Sequence, residues 1–310
     1  MKCKLSYNQM IVSWLERNRR NLAESSTVKY KNLYDRHIEP FFRGVEADCV
    51  DQKLLDQYQK LLAEKTNAGG SRKLSGETIR SISFLVKKGL GELPNGKNLS
   101  FDLRIRKQKR TIRIFSEAEC RELELFLRSH HNGNTVAVLL CLYTGIRIGE
   151  LCALKWGDLD WKEECISITR TVQRLKREEK TALVITAPKT NSSVRIIPLA
   201  KSLLPNLKAL YESSDQTSFI FSNTPKRPLD PRTMQYRYKR ILEEAGIAYR
   251  NFHTLRHTFA SRCITLGMDM KTLSELLGHA NIQTTLNYYC HISMSHKKEQ
   301  INLLNAFSQK

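Results

Sequence analysis

Strand-type patterning in this chain is confined to one stretch, residues 165 to 199, with helical spacing on both sides of it. Cys165 to Arg170, Leu183 to Thr186 and Val194 to Leu199 alternate or run β-branched, with a turn-prone Lys-Thr-Asn-Ser-Ser between the last two. They predict a small antiparallel sheet. Ahead of it, Tyr7 to Arg20, Ser26 to Phe42, Asp51 to Lys65 and Gly76 to Leu90 mix helical apolar spacing with Lys and Arg. Ser25 or Ser26, Asp51 and Ser75 stand where N-caps belong. Ser116, three residues before Glu119, forms a capping box that opens a helix to about Ser129. An apolar helical stretch follows from Thr135 to Tyr143, and helices resume from Ala200 to the end. The expected class is therefore mainly α with a small antiparallel β-sheet.

A length of 310 residues predicts about two domains, at roughly 100–200 residues each. The run RIRKQKRTIR, Arg104 to Arg113, carries six basic residues in ten with little helical periodicity and reads as a linker. The expected division is a helical domain over 1–103, a basic linker over 104–115, and a second domain over 116–310. That second domain ends in a C-terminal helix, with Ile301, Leu304 and Phe307 at helical spacing.

Charge narrows the partner. Lys and Arg number 51 against 31 Asp and Glu, a balance of +20. Self-repulsion of this size is relieved by a polyanion, and nucleic acid is the expected one; a solvated basic surface or attraction to anionic lipid is the alternative. Hydrophobic residues at 41% and charged residues at 26% fit neither a disordered chain nor a membrane protein. The eight cysteines form no C-x-x-C pair, so neither a zinc cluster nor a disulfide framework is indicated. Reduced, buried thiols are expected in a cytoplasmic protein. The N-terminus is too polar for a secretory signal, and no apolar run reaches membrane-spanning length.

Three motifs hold chemistry-bearing residues. In T-G-I-R-I-G-E-L, Gly145 and Gly149 thin the backbone around Arg147 so that another chain or a phosphate can approach, while an Arg147–Glu150 pair on one helix face is the plainer reading. In N-F-H-T-L-R-H-T-F-A-S, His253 and Arg256 lie three apart near a helix N-terminus, where the dipole favours an anion; a core histidine is the alternative. L-L-G-H-A-N-I-Q-T-T-L-N-Y-Y-C-H sets His279 beside a glycine and is followed by Tyr288 and Tyr289, adjacent aromatics that equally suit a core.

In chain order, Arg147, Lys189, His253-x-x-Arg256, His279 and Tyr289 resemble the tyrosine recombinase family, or phage integrases. The resemblance spans most of residues 116 to 295 through T-G-x-R-x-x-E-L, the P-K-T turn, H-x-L-R-H-x-x-A, L-G-H-x-x-I-x-T-T and Y-x-H. It implies a two-domain DNA clamp with a helical core-binding domain. It also implies catalytic positions at Arg147, Lys189, His253, Arg256, His279 and Tyr289. Some members have the nucleophile one residue earlier, at Tyr288; the Y-x-H match selects Tyr289. Many members carry a further N-terminal arm-binding domain, whereas this sequence opens directly on the helical unit.

By the same resemblance the two arginines neutralise charge on a scissile phosphate, and His253 accepts or shares the tyrosine proton. Lys189, on a turn between strands, protonates the leaving 5′ oxygen, and His279 hydrogen-bonds the phosphate. No metal or other cofactor is implied. Implied partners are double-stranded DNA, a homo-tetramer on two duplexes, and accessory bending or excision factors. An integrase of a phage or conjugative element is the leading expectation. Xer-like dimer resolution, a type IB topoisomerase and a catalytically silent DNA-binding protein are the alternatives.

Overall fold

The computed structural model describes residues 5–64, 73–103, 113–177, 180–188, 191–289, 298, 301 and 302. The side chains at 176, 177, 180, 191, 284 and 287–289 are outside that description. Lys189, most of the basic linker and most of the C-terminal segment with Leu304 and Phe307 also lie outside the described residues. The chain divides into two compact units, Met1–Arg110 with Leu175–Lys180, and Thr111–Arg174 with Thr181–Lys310.

The first unit is helical: α1 (Tyr7–Arg17), α2 (Glu24–Leu33), α3 (Glu39–Phe42), α4 (Gln52–Glu64) and α5 (Gly76–Leu90). Its core joins Tyr7 and Ile11 of α1 to Leu55, Tyr58 and Leu62 of α4 and to Ile82, Leu85 and Val86 of α5. Two buried phenols keep hydrogen-bond partners: Tyr7 donates to the Val86 carbonyl (2.8 Å) and Tyr58 to that of His37 (2.7 Å). Ser75 and Asp51 cap as expected, accepting from the Thr78 and Leu54 amides. Ser25 and Ser26 do not: the helix begins at Glu24 after Ala23, which contributes no side-chain bond. The single helix expected from 26 to 42 is instead interrupted by a π-helical turn, Tyr34–Ile38. Pro40 follows that turn and has no N–H for the carbonyl of Arg36, so an α-helix could not have continued unbroken through it.

The second unit is built on α7 (Gly133–Thr144), whose residues 135–142 are all buried. Asn132 caps its start and Gly145 ends it in the left-handed region at φ 63°. Packed with it are α6 (Glu117–Ser129), opened by the Ser116–Glu119 capping box, and α8 (Ile148–Ala153). Two antiparallel pieces then follow. Strands β1 (Leu159–Asp160), β2 (Cys165–Ile168) and β5 (Arg195–Pro198) form one sheet in the order β1-β2-β5, with Ile166 opposite both Leu159 and Ile197. Strands β3 (Thr171–Arg177) and β4 (Lys180–Thr186) form a second, two-stranded sheet.

Four more helices of the unit are α9 (Leu204–Glu212), α10 (Pro231–Glu244), α11 (His253–Thr265) and α12 (Met270–Leu277), and α13 (Ile282–Tyr289) packs on α12. The architecture is mainly α with small antiparallel sheets, as expected, although patterning missed β1 and β3 and so gave one sheet where there are two. Of the described cysteines, Cys120, Cys141, Cys152 and Cys263 are buried and free, but Cys49 is exposed. Among the described residues no helix is long and apolar enough to cross a membrane, and no group of His, Cys, Asp and Glu could hold a metal ion.

Candidate active site

The C-terminal end of α12 organises the site. A helix leaves its last carbonyls without intrahelical donors, and they lie at the negative end of its dipole. Here three consecutive carbonyls are each met by a different arginine. Arg195 Nε donates to Leu276 O (2.6 Å), Arg256 Nη2 to Leu277 O (2.7 Å), and Arg147 Nη2 to Gly278 O (3.1 Å). The three guanidinium groups come from β5, α11 and the N-cap of α8, so one helix end gathers charges that lie far apart in sequence.

Two glycines make this convergence possible. Gly278 sits at φ 65°, where it closes α12, and a Cβ there would stand 3.0 Å from both Arg195 Nη1 and the Ser192 carbonyl. Gly145 turns the chain out of α7, and its carbonyl accepts from Arg256 Nη1 (2.8 Å). A Cβ at Gly145 would meet Phe259 Cδ1 at 2.4 Å and Leu277 Cδ2 at 2.9 Å. One at Gly149 would meet Thr171 Oγ1 at 2.5 Å. What approaches these glycines closely is therefore the protein's own α11, α12 and β3, where sequence reading left open a phosphate or another chain.

The carboxylate of Glu150 binds two of the three arginines, Arg147 and Arg195. Glu150 is 3% exposed and binds Arg147 Nη1 (2.7 Å) and the Arg147 amide (2.9 Å). It also accepts from Arg195 Nη1 (3.2 Å) and Nη2 (2.9 Å). Burial pushes the Glu150 pKa up, but the hydrogen bonds and charge of Arg195, with the charge of Arg147, more than offset this and hold the carboxyl below its ordinary value. The Arg147–Glu150 helix pair expected as the plainer reading is present, alongside the Gly278 contact. The two partners differ in access: the Arg147 side chain is 36% exposed and that of Arg195 only 6%.

Both histidines belong to this cluster. His253 is the first residue of α11 and is exposed, with its ring edge-on to that of His257 at 4.6 Å. Desolvation on its protein side, then His257 and the charges of Arg256 and Arg147, lower its pKa. His279 is half-buried, and its Nδ1 shares a 2.7 Å hydrogen bond with Thr285 Oγ1 of α13. Burial, followed by Arg256, Arg147, Arg195 and His253, brings its pKa down to about 4. Both imidazoles are thus neutral at pH 7 before any anion arrives. Arg256, expected to face an anion beside His253, is 3% exposed and hydrogen-bonded to two backbone carbonyls.

Four of the expected positions, Arg147, His253, Arg256 and His279, therefore meet at one place. Tyr289 is the last residue of α13, one helical turn beyond Thr285, and its side chain is outside the description, as is Lys189. Sequence reading missed Arg195 and Thr285. The signal for Arg195 was an inverted strand: Val194 and Ile196 are 53% and 64% exposed, while Arg195 shares the inward face with Ile197.

Residues 113–296 match the phage integrase family. A tyrosine recombinase XerC-like protein of Caldanaerobacter subterraneus is 27% identical, over 97% of this chain and 83% of its own length. The transposase of transposon Tn916 from Enterococcus faecalis is 29% identical over 64% of this chain, which spans only 52% of that relative. Among solved structures, the Tn1549 transposon integrase in complex with transposon right end DNA superposes with a TM-score of 0.78 at 20% identity, covering 97% of this chain and all of that one. The XerH site-specific recombinase bound to its difH substrate gives 0.62 at 17% identity, over 96% and 95% of the two chains. With more than half its length matched, and Arg147, His253, Arg256 and His279 gathered in one cluster, the chain belongs to the phage integrase family of tyrosine recombinases.

Proposed function

We propose that this protein is a site-specific recombinase that cuts and rejoins DNA through a covalent 3′-phosphotyrosine at Tyr289, integrating or excising a mobile element. The observation that carries the reading is the convergence of Arg147, Arg256, His253 and His279 around the end of α12, with one carboxylate among them. A phosphodiester is already anionic, so attack on it requires preorganised cations for the charge that develops on the non-bridging oxygens. Arg147 is the guanidinium with exposed surface to offer. Arg256, held by two carbonyls, sets the field beside it.

In the proposed reaction the Tyr289 oxygen attacks phosphorus and its proton passes to His253, which is neutral and so free to accept it. The bond from phosphorus to the 5′ oxygen breaks, and Lys189 protonates the departing oxygen. His279, oriented by Thr285, hydrogen-bonds the phosphate. Position 289 follows Thr285 by one turn of α13. The phosphotyrosine conserves the energy of the broken bond, so a 5′ hydroxyl of another strand rejoins it without ATP.

The partners we propose are duplex DNA, a homo-tetramer on two duplexes, and accessory bending or excision factors; the proposed site of action is the cytoplasm, in association with the nucleoid. Residues 1–103 serve as the core-binding domain, 104–115 as a basic linker along the backbone, and 116–310 as the catalytic domain. Likeness to the Tn916 transposase and the Tn1549 integrase supports the mobile-element reading. Similarity of the XerC-like relative over 97% of this chain favours Xer-like chromosome dimer resolution as the second reading.

Covalent trapping tests the proposal. A duplex enriched by the protein from a random-sequence pool, then nicked just 3′ of the cut so that the short piece carrying the freed 5′ hydroxyl diffuses away, should yield a protein–DNA adduct stable to denaturant. Tight binding to that duplex with no adduct would refute catalysis and leave a DNA-binding protein. Plasmids carrying one or two copies of the site then separate integration from resolution.

A further inference from the structure

Arg195 lies outside the residues that the proposed chemistry uses, yet it is among the most constrained side chains of the site. It is 6% exposed and has four acceptors: the Leu276 carbonyl, the Ser193 carbonyl, and both oxygens of Glu150. Burying a guanidinium in a short strand while Val194 and Ile196 face outward reverses the usual alternation and costs apolar burial. A purely packing role would be met by an aliphatic residue in phase with Ile197.

What Arg195 does is fix a carboxylate. Glu150 Oε2 receives both the Arg195 Nη2 and the Arg147 amide, while Oε1 receives Arg195 Nη1 and Arg147 Nη1. The carboxylate is therefore a shared bridge between one shielded and one half-open arginine. The same Arg195 grips the Leu276 carbonyl two residues before the Gly278 carbonyl that holds the other side of the Arg147 guanidinium. Both anchors of Arg147 thus rest on Arg195.

We propose that Arg195 is a positioning residue: it orients Arg147 toward the scissile phosphate through the Glu150 bridge and the end of α12, without touching DNA itself. The inference rests on the recombinase reading above. A guanidinium held from two sides reaches the transition state without reorganising, whereas a loosened one does so in only a fraction of encounters.

Arg195→Lys and Arg195→Met are compared with the parent, with Arg147→Lys, and with the Arg147→Lys/Arg195→Met double variant, on the nicked duplex of the trapping experiment. The readouts are DNA affinity, the single-turnover rate of adduct formation, and thermal unfolding. Both Arg195 variants should bind within about threefold of the parent and form adduct roughly 10–100-fold more slowly. The double variant should be little slower than Arg147→Lys, because Arg195 has nothing to act on once the forked guanidinium is gone. Placing a methylphosphonate at the scissile position removes the charge that Arg147 meets and should shrink the Arg195→Lys deficit, which a general loss of folding would not do. Should Arg195→Met fail to fold, Arg195→Lys carries the comparison. Multiplicative losses in the double variant, a deficit indifferent to the methylphosphonate, or parental rates in Arg195→Lys each overturn the positioning role. Absence of adduct in the parent overturns the recombinase reading itself, and the positioning role with it.

Discussion

Replacing Glu150 by Gln keeps its shape and removes one charge from beneath two guanidinium groups. Breaking a buried ion pair by neutralising one partner typically costs about 3–5 kcal/mol, because the other charge stays buried. The two partners here are unequal. Arg147 is 36% exposed and regains water, whereas Arg195 at 6% does not, although it keeps the Leu276 and Ser193 carbonyls. The glutamine oxygen also remains one good acceptor. The expected loss is therefore below that range, about 2–3 kcal/mol.

For a unit of 150–250 residues each kcal/mol moves Tm by about 2–4 °C, so Glu150→Gln should unfold about 5–10 °C below the parent at pH 7. The pH dependence has a definite sign. The folded pKa of Glu150 lies below its free value of 4.5, so its contribution is complete above 4.5 and is lost as pH falls through the folded value. Differential scanning calorimetry of the two proteins should show the gap full at pH 7 and closing well below pH 4.5. It should also change little with salt, since the pair is shielded from solvent. Coincident melting curves at pH 7 would refute the claim that this carboxylate holds the arginine cluster together.

Three further outcomes follow. Gly278→Ala forces a side chain into the left-handed region, at roughly 1–2 kcal/mol, and against the Ser192 carbonyl, so it should lower Tm by about 3–8 °C in the same scan. His279 has a folded pKa near 4, below its free value of 6.5, so its contribution is complete above 6.5 and is lost as pH falls toward 4. After allowance for partial exposure it amounts to about 1–2 kcal/mol, and His279→Asn should reduce by that much the loss of stability across that window in urea titrations, the rest coming from His253 and His257. Duplex binding should weaken by about 10³–10⁵ between 50 and 200 mM salt if the basic surface meets six or more phosphates; a flat response in fluorescence anisotropy contradicts the clamp.

The helices and the site motifs were legible in the sequence because each is local. Capping at Ser75 and Ser116 depends on neighbours three residues away, and His253-x-x-Arg256 needs only one helical turn. What escaped was set by contacts distant in sequence. The break near Pro40 appears as a π-helical turn because the chain continues winding after Ile38, where a sequence pattern shows only continuing apolar spacing. Arg195 stands between two aliphatics in a span read only as strand, and its burial follows from Glu150 and Leu276, 45 and 81 positions away. Arg256 was legible as a cation in a motif, but not as one held by the ends of two helices.

The most direct test of the central claim is the identity of the residue that becomes covalently attached to DNA. Helix geometry turns adjacent side chains about 100° apart, so of Tyr288 and Tyr289 only one presents its oxygen to the phosphate. Peptide mapping of the trapped adduct should find the nucleotide on Tyr289. Tyr289→Phe should fold and bind DNA as the parent does yet form no adduct, and Tyr288→Phe should still form one. An adduct mapped to Tyr288, or an active Tyr289→Phe protein, would contradict the assignment.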